Sequence, residues 1–456
     1  MVVQKNTEYD IEIDGMTHDG LGVGRIDNFT VFVEGAIRGE KVHVKIIKVT
    51  KSYAVGKLLK ILEASSQRTE PFCPVYKRCG GCSLQHMSYE AQLEFKTNTV
   101  KDNITRIGKL ENVTIHDTIG MEKPLRYRNK TQLPVAGTPA RPLIGFFAKR
   151  SHDVIDIGSS NCGIQGEVSS EITEIIRSFI SKHGISIYDE KNQVGIVRHI
   201  MTRVGFKTGE VMVVLVINAQ DLPARKALVK ELTSAIPQIK SIYLNINTKN
   251  TNVILGEKNI KIFGSDTITD YIGKYRFHIS PLSFFQVNPV QTEVLYNKAL
   301  EYAGLTGSET VFDLYCGIGT ISLFLSEKAG KAYGVEVVED AVRDARRNAE
   351  ENGVNNVEFI AGEAETVIPE MYAGGARADV VVVDPPRKGC DERLLKTLVD
   401  MQPKRIVYVS CNPSTLARDL HYLDQNGYRT VEVQPVDMFP WTSHVECVIG
   451  MQRKDT

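Results

Sequence analysis

From Thr310 onward the chain repeats one unit, a short and wholly apolar segment followed by a longer stretch of helical periodicity. The apolar segments are Thr310–Leu314, Ala332–Glu336, Ala378–Asp384 and Arg405–Val409. A strand that is apolar along its length is covered on both faces, and helices between successive strands supply that cover. The rhythm therefore predicts a doubly wound α/β unit with a mostly parallel sheet. Such sheets bind ligands beyond the carboxyl ends of their strands, so the residues that close these segments carry the first clues to function.

The preceding sequence reads differently. Asp10–Asp14, Phe29–Val33 and Lys41–Ile46 alternate in short stretches broken by glycines, which predicts a small antiparallel barrel over residues 1–62. Residues 63–285 mix strand and helix patterns and read as a central α+β unit, whose helix over Tyr89–Ile107 is a candidate to pack on the C-terminal unit, residues 286–456. A chain of 456 residues can bury the cores of three such units. No run approaches the ~18 apolar residues of a membrane span, and the opening MVVQKNTEYD lacks the apolar core of a secretion signal; a cytoplasmic location without membrane contact is the expectation.

Fifty-five basic residues balance 55 acidic ones, so any nucleic-acid surface has to be local. Lys41, Lys45, Lys48, Lys51, Lys57 and Lys60 give the barrel a lysine-dense surface suited to a phosphate backbone. A second basic run comprises Lys123, Arg126, Arg128, Lys130, Arg141, Lys149 and Arg150, with Glu122 as its single acid. On charge alone a solvated basic face explains either group.

At the predicted carboxyl edge, Asp313-Leu-Tyr315-Cys-Gly317-Ile-Gly319-Thr320 leads from a strand into a helix over Ile321–Ala329, and its glycines let backbone approach a ligand. Ser322 stands where a dinucleotide fingerprint has its third glycine. Glu336 ends the next strand, where a carboxylate can accept both hydroxyls of a ribose, and Asp384 ends a later one. A nicotinamide enzyme could use the same parts. In register, however, these residues resemble the S-adenosylmethionine-dependent methyltransferases, whose first motif is D-x-x-x-G-x-G followed by an acidic strand end.

Asp384-Pro-Pro-Arg-Lys-Gly389 adds a rigid, extended turn suited to the wall of a base pocket, and Arg387 replaces the aromatic residue of the D-P-P-Y form used for amino-group methylation. Ser410-Cys411-Asn412-Pro413 ends a further strand before a helix over Ser414–Tyr422, whose N-terminal dipole is expected to favour thiolate at Cys411. Cys316, Cys390 and Cys447 read as packing residues. A thiolate is needed where the carbon to be methylated is C5 of uracil, too poor a nucleophile by itself; addition of sulfur at C6 makes C5 enolate-like. Such a scheme also needs a base for the C5 proton, and Glu446 in His444-Val-Glu-Cys-Val448 is the candidate, with a structural carboxylate as the alternative.

Phe284-Phe-Gln-Val-Asn288, DLYCGIGT, DPPRKG, SCNP and HVE, in this order, resemble the RNA uracil-C5 methyltransferase family, which forms 5-methyluridine. The resemblance implies a Rossmann-like methyltransferase domain, with Cys411 as nucleophile, Glu446 as base, and Gln286, Tyr315, Gly317, Gly319, Glu336 and Asp384 around S-adenosylmethionine. It implies RNA as partner, with Phe284 stacking on a flipped base, and calls for no protein partner; the basic stretch Arg126-Tyr-Arg128-Asn-Lys130 beside the cysteines makes the central unit a candidate RNA platform. Trp441 departs from the family, where a polar residue is frequent, and is expected to alter the pocket wall. The barrel, with Gly20-Leu-Gly-Val-Gly24 at its glycine turn, resembles the OB-like TRAM domain of RNA-modifying enzymes.

Cys73, Cys79 and Cys82, with Gly80-Gly81 between the last two, supply three thiolates within a short span, and Cys162 completes a set of four. Zinc and a [4Fe–4S] cluster both accept that set. The stretch Cys79–Leu93 resembles the iron–sulfur segment of the ribosomal-RNA branch of the family, which implies a [4Fe–4S] cluster and 23S ribosomal RNA as substrate; the alternatives are a tRNA enzyme and a non-catalytic RNA-binding iron–sulfur protein. A radical S-adenosylmethionine enzyme would need C-x3-C-x2-C, which is absent, and the fourth cysteine leaves no open iron site.

Overall fold

The computed structural model describes residues 3–158 and 162–455. Five strands, β1 (Glu8–Met16), β2 (Gly22–Ile26), β3 (Phe29–Glu34), β4 (Lys41–Val49) and β5 (Tyr53–Glu63), close a barrel in the order β1-β2-β3-β5-β4. Strict alternation puts Ile11, Ile13, Val31, Val33, Val42, Val44 and Ile46 inside. The expected all-antiparallel barrel needs one correction, because β3 and β5 pair in parallel. With β4 between them in sequence and pairing β5 on its other side, β5 reaches β3 running in the same direction.

The chain then passes the cysteine segment and enters α1 (Tyr89–Arg106), capped by Ser88, whose side chain accepts the Ala91 N–H. Helix α1 and the short strand β6 (Thr114–Ile115) turn towards the C-terminal sheet: Val100, Ile104 and Leu110 join the core beneath it, and β6 extends its edge.

The central sheet has the order β13-β12-β11-β10-β7-β8-β9. Its members are β7 (Lys130–Thr138), β8 (Arg141–Phe147), β9 (Val154–Asp156), β10 (Val197–Val204), β11 (Val211–Ile217), β12 (Ile239–Ile246) and β13 (Lys258–Gly264), with α2 (Glu167–His183) and α3 (Arg225–Ala235) packed against it. A hairpin of β14 (Ile268–Ile272) and β15 (Tyr275–Ile279) then leads to α4 (Pro289–Ala303), which Asn288 caps.

The remaining elements are β16 (Thr310–Leu314), α5 (Thr320–Ser326), β17 (Lys331–Glu336), α6 (Glu339–Glu351), β18 (Val357–Ala361), α7 (Ala364–Ala373), β19 (Val380–Val383), α8 (Glu392–Met401), β20 (Arg405–Ser410), α9 (Pro413–Gln425), β21 (Tyr428–Val436) and β22 (Glu446–Arg453). The sheet order is β18-β17-β16-β19-β20-β22-β21-β6, parallel from β18 to β20, with β22 antiparallel to both of its neighbours. The chain runs outward from β16 to β18 and returns to β19, so the topological switch lies between β16 and β19, where a crevice opens at the strand ends. Among the described residues, no helix is long and apolar enough to cross a membrane.

Candidate active site

A cleft of about 910 Å3 opens at this switch and is lined by Phe284, Gln286, Tyr315, Gly317, Glu336, Asp384, Arg387, Cys411, His444 and Glu446. Five separate sequence motifs thus meet in one place. Leaving β16, the backbone turns sharply: Tyr315 has φ +66° and Gly317 φ +56°. A side chain is tolerated at Tyr315 because its amide donates to the Val335 carbonyl (2.9 Å) and its hydroxyl to Glu365 Oε1 (2.8 Å). At Gly319 (φ +80°) a Cβ would lie 2.8 Å from Phe359, so glycine is required. The Glu336 carboxylate accepts the N–H of Gly317 (3.0 Å) and of Val338 (2.9 Å), and each of its oxygens keeps acceptor capacity for a hydroxyl.

Asp313 is fully buried, and burial raises its carboxyl to about 7, with Asp384 and Glu336 adding to the rise. The hydroxyl of Ser322 donates to it, which gives the residue at the missing-glycine position a use.

The reactive end is set by two linked turns. Asn412 caps α9 with Oδ1, accepting the Ser414 N–H (3.1 Å), while its Nδ2 and Thr415 Oγ1 both donate to the Arg387 carbonyl (3.0 Å each). Cys411 therefore faces the proline-built wall of Asp384–Gly389 across the cleft mouth. Its thiol is pushed up to about 11, by burial first and then by the charges of Glu446 and Asp384, with Arg387 opposing. The expectation of a dipole-favoured thiolate is corrected for the free enzyme. Pro413 has no N–H to offer, Asn412 occupies the next donor, and two carboxylates outweigh what remains of the helix terminus.

Glu446 and Asp384 are buried, and burial raises both carboxyls well above the usual carboxylate range; repulsion from Asp384 raises Glu446 further, and Arg387 draws it back. His444 is held in its neutral form, through burial and then the cations Arg387, Lys96 and Arg128. Cys316, Cys390 and Cys447 are buried packing residues.

Phe284 is 67% exposed while its neighbour Phe285 is in the core. The strip between Pro281 and Val287 is held from the central sheet: Arg203 Nη2 donates to the carbonyls of Pro281 (3.3 Å) and Ser283 (2.6 Å), and Asn129 donates to those of Gln286 (3.0 Å) and Val287 (2.9 Å). Lys130 lies opposite Arg203 across β7 and β10, and burial, then Arg203 and Arg128, lower it to about 8. Arg126 is exposed and paired with Glu167 (2.5 Å), and Lys149 and Arg150 pair with Glu34, so the basic run does not form one face. Barrel residues Lys57 and Lys60 line a second groove of about 910 Å3 between the barrel and the cysteine segment.

Cys73, Cys79, Cys82 and Cys162 line one small enclosed cavity with Tyr76, Phe146, Ile157 and Ile164. Ser160 and Asn161, which precede Cys162 in its motif, lie outside the described residues. Burial pushes the thiols of Cys79, Cys82 and Cys162 up, Cys82 to about 12 with the neighbouring sulfurs adding to the rise. One donor is nevertheless aimed at sulfur, and backbone bonds shape the segment around the four thiols. The Gly81 N–H reaches Cys79 Sγ (3.3 Å), while Gln85 Oε1 accepts the Cys73 N–H (3.2 Å) and the Gln165 N–H holds the Cys162 carbonyl (3.1 Å). Among the described residues, no three His, Cys, Asp or Glu side chains stand close enough to hold a single ion; the four sulfurs surround a common space instead.

The pocket wall does not contain Trp441, contrary to expectation; its ring packs against Phe72 and Tyr89 on the cysteine side. The spacing of its flanking motif gave no sign of that direction. Arg387, Asn129 and Arg203 were missed as site residues. Arg387 was signalled by its place between two acids of the cleft, whereas the other two are recognisable only once β7 and β10 are paired.

Fold, cofactor crevice and barrel together define an S-adenosylmethionine-dependent RNA methyltransferase. Residues 196–454 match the model of the tRNA (uracil-5-)-methyltransferase family and residues 2–59 that of the TRAM domain. An uncharacterized RNA methyltransferase of Clostridium tetani is 55% identical over 98% of this chain and 97% of its own length. One from Caldanaerobacter subterraneus is 53% identical over 99% of both. The crystal structure of Pyrococcus abyssi tRNA (uracil-54, C5)-methyltransferase in complex with S-adenosyl-L-homocysteine superposes with a TM-score of 0.78 at 30% identity, covering 97% of this chain and all of that one. The chain belongs to the RNA (uracil-5-)-methyltransferase family.

Proposed function

We propose that the protein methylates C5 of uridine in 23S ribosomal RNA, in the cytoplasm, through a covalent bond between Cys411 and C6 of the base. The observation that carries the mechanism is the meeting of Cys411, Glu446, Asp384, Arg387 and Phe284 in one cleft at the sheet's switch point. S-adenosylmethionine supplies a methyl carbon on a sulfonium leaving group. Gln286, Tyr315, Gly317 and Glu336 hold it, Glu336 through the ribose hydroxyls, while Gly319 shapes the turn beneath and Asp384 faces it from the end of β19.

Phe284 stacks on the extruded uracil, and Arg128 and Lys130 take adjacent phosphates; Arg126 contributes at the rim. The thiol of Cys411 gives its proton to solvent water as the base enters, and Arg387 supports the thiolate. Sulfur bonds to C6 while the C5–C6 π pair shifts towards O4. C5 then takes the methyl carbon, whose bond to the sulfonium sulfur breaks. Glu446 removes the C5 proton; the C–H pair re-forms the double bond and expels the Cys411 thiolate. A carboxyl with a raised affinity for protons suits that step.

The four thiols around one cavity, with the Gly81 N–H aimed at Cys79, fit a thiolate-bound [4Fe–4S] cluster, which would bind through Cys73, Cys79, Cys82 and Cys162 and stiffen the central unit. The ribosomal assignment rests on the Cys79–Leu93 segment. A tRNA substrate is the second reading, favoured by the Pyrococcus enzyme matching 97% of this chain. Mass mapping of RNA from cells lacking the protein decides: loss of 5-methyluridine from 23S ribosomal RNA, restored by the wild-type protein and not by Cys411→Ala, is expected. Loss from tRNA alone overturns the ribosomal reading, and no loss overturns the activity.

A further inference from the structure

The connection between β21 and β22 is held from outside along nearly its whole length. Its flanks, Val436 and Glu446, pair across the two strands. Between them, the carbonyl of Asp437 accepts Gln291 Nε2 (3.2 Å), that of Met438 Asn288 Nδ2 (3.0 Å), that of Phe439 Lys96 Nζ (3.1 Å) and that of Pro440 Tyr127 Oη (3.1 Å). Trp441 is the pivot. It sits at φ +70°, a conformation a bulky residue keeps only when its surroundings impose it.

The imposing groups are identifiable. The carbonyl of Trp441 accepts the amides of both Ser83 and Leu84 (3.0 Å each), its own N–H donates to Gln92 Oε1 (3.1 Å), and its indole N–H donates to the Pro124 carbonyl (2.7 Å). Ser443 N–H adds a bond to Ser83 Oγ (3.0 Å). Ser83 and Leu84 directly follow Cys82. The ring joins Tyr76, Cys82, Tyr127 and Ile164 in one cluster beside the four-thiol cavity. On its other side the same connection presents Phe439, His444 and Glu446 to the cleft.

We propose that Trp441 is a positioning residue that ties the four-thiol site to the carboxylate of Glu446. The turn keeps its strained shape while the Cys82–Leu84 segment grips the Trp441 carbonyl, and that shape sets where Glu446 meets the C5 proton. Loosening of the thiol segment releases the turn and displaces the base. The proposal rests on Glu446 acting as base.

Single-turnover reactions on uridine RNA with S-adenosylmethionine test it, following the methylated Cys411–RNA adduct and the released product separately. Only proton removal frees the adduct, so a displaced Glu446 makes it accumulate. Trp441→Ala is expected to raise the adduct about tenfold over wild type while S-adenosylhomocysteine affinity stays within about twofold, and Trp441→Phe, which keeps a ring, is expected to restore most release. Trp441 is the only tryptophan, so its emission reports the turn directly. Cys82→Ser is expected to red-shift that emission and to accumulate adduct in the same way.

Wild-type release in Trp441→Ala, or unchanged emission in Cys82→Ser, overturns the proposal. Glu446→Gln separates the two ideas: if it too releases adduct normally, the base reading fails, whereas accumulation in Glu446→Gln alone sinks only the positioning role. Should Trp441→Ala lose cofactor affinity through misfolding, the emission and the adduct level of Cys82→Ser decide.

Discussion

Glu446 and Asp384 are a buried acidic pair with Arg387 drawing Glu446 back towards ionisation, an arrangement that favours chemistry over stability. The sign follows from their raised folded affinity for protons. Glu446 contributes its stability in full below its unfolded value near 4.5 and loses it as pH rises through the higher folded one. Glu446→Gln is therefore expected to melt higher than wild type at pH 9, by roughly 2–4 °C for each kcal/mol removed, and to match it at pH 4. Calorimetry at the two pH values checks this, and an equal difference at both contradicts it. Asp384 was legible as a candidate from its place at a strand end, and Glu446 from the His444-Val-Glu446 motif on a late strand. The direction of the Cys411 shift was not, because it depends on Glu446 and Asp384 approaching from β22 and β19, strands whose adjacency the sequence does not state.

At the scale of elements, α1 is the unexpected member. Its helical spacing was readable and its packing on the C-terminal unit was foreseen, yet the periodicity gave no hint that Lys96 would be wholly buried in an ion pair with Asp437, which also accepts the Tyr89 hydroxyl (2.8 Å). Removing one partner leaves an uncompensated buried charge. Lys96→Met is expected to destabilise the protein by about 3–5 kcal/mol, and the double change Lys96→Met with Asp437→Asn to recover a large part of it. Denaturant unfolding of the two variants is the check; equal losses would mean that the charge itself does not matter. The parallel β3–β5 pairing was unreadable for a related reason. Alternation fixes which face of a strand is buried but not its neighbour, and the return of β5 past β4 to β3 is a choice of topology.

For the whole molecule, one sheet edge carries the cofactor crevice and the reactive groups, the central sheet holds out Phe284 through Asn129 and Arg203, and the barrel adds a lysine-lined groove. The ordered motifs from Phe284 to Glu446 made the catalytic unit legible at once. The joining of the three units was not, since it runs through backbone carbonyls such as those of Ser283, Pro440 and Trp441, which any residue could supply.

The central claim is the covalent role of Cys411, and 5-fluorouridine RNA tests it most directly, because fluorine at C5 leaves no proton to remove. With S-adenosylmethionine present, a stable protein–RNA adduct is predicted, mapped by mass spectrometry to the peptide containing Cys411 and absent from Cys411→Ala. No adduct, or one that survives in Cys411→Ala, contradicts the account.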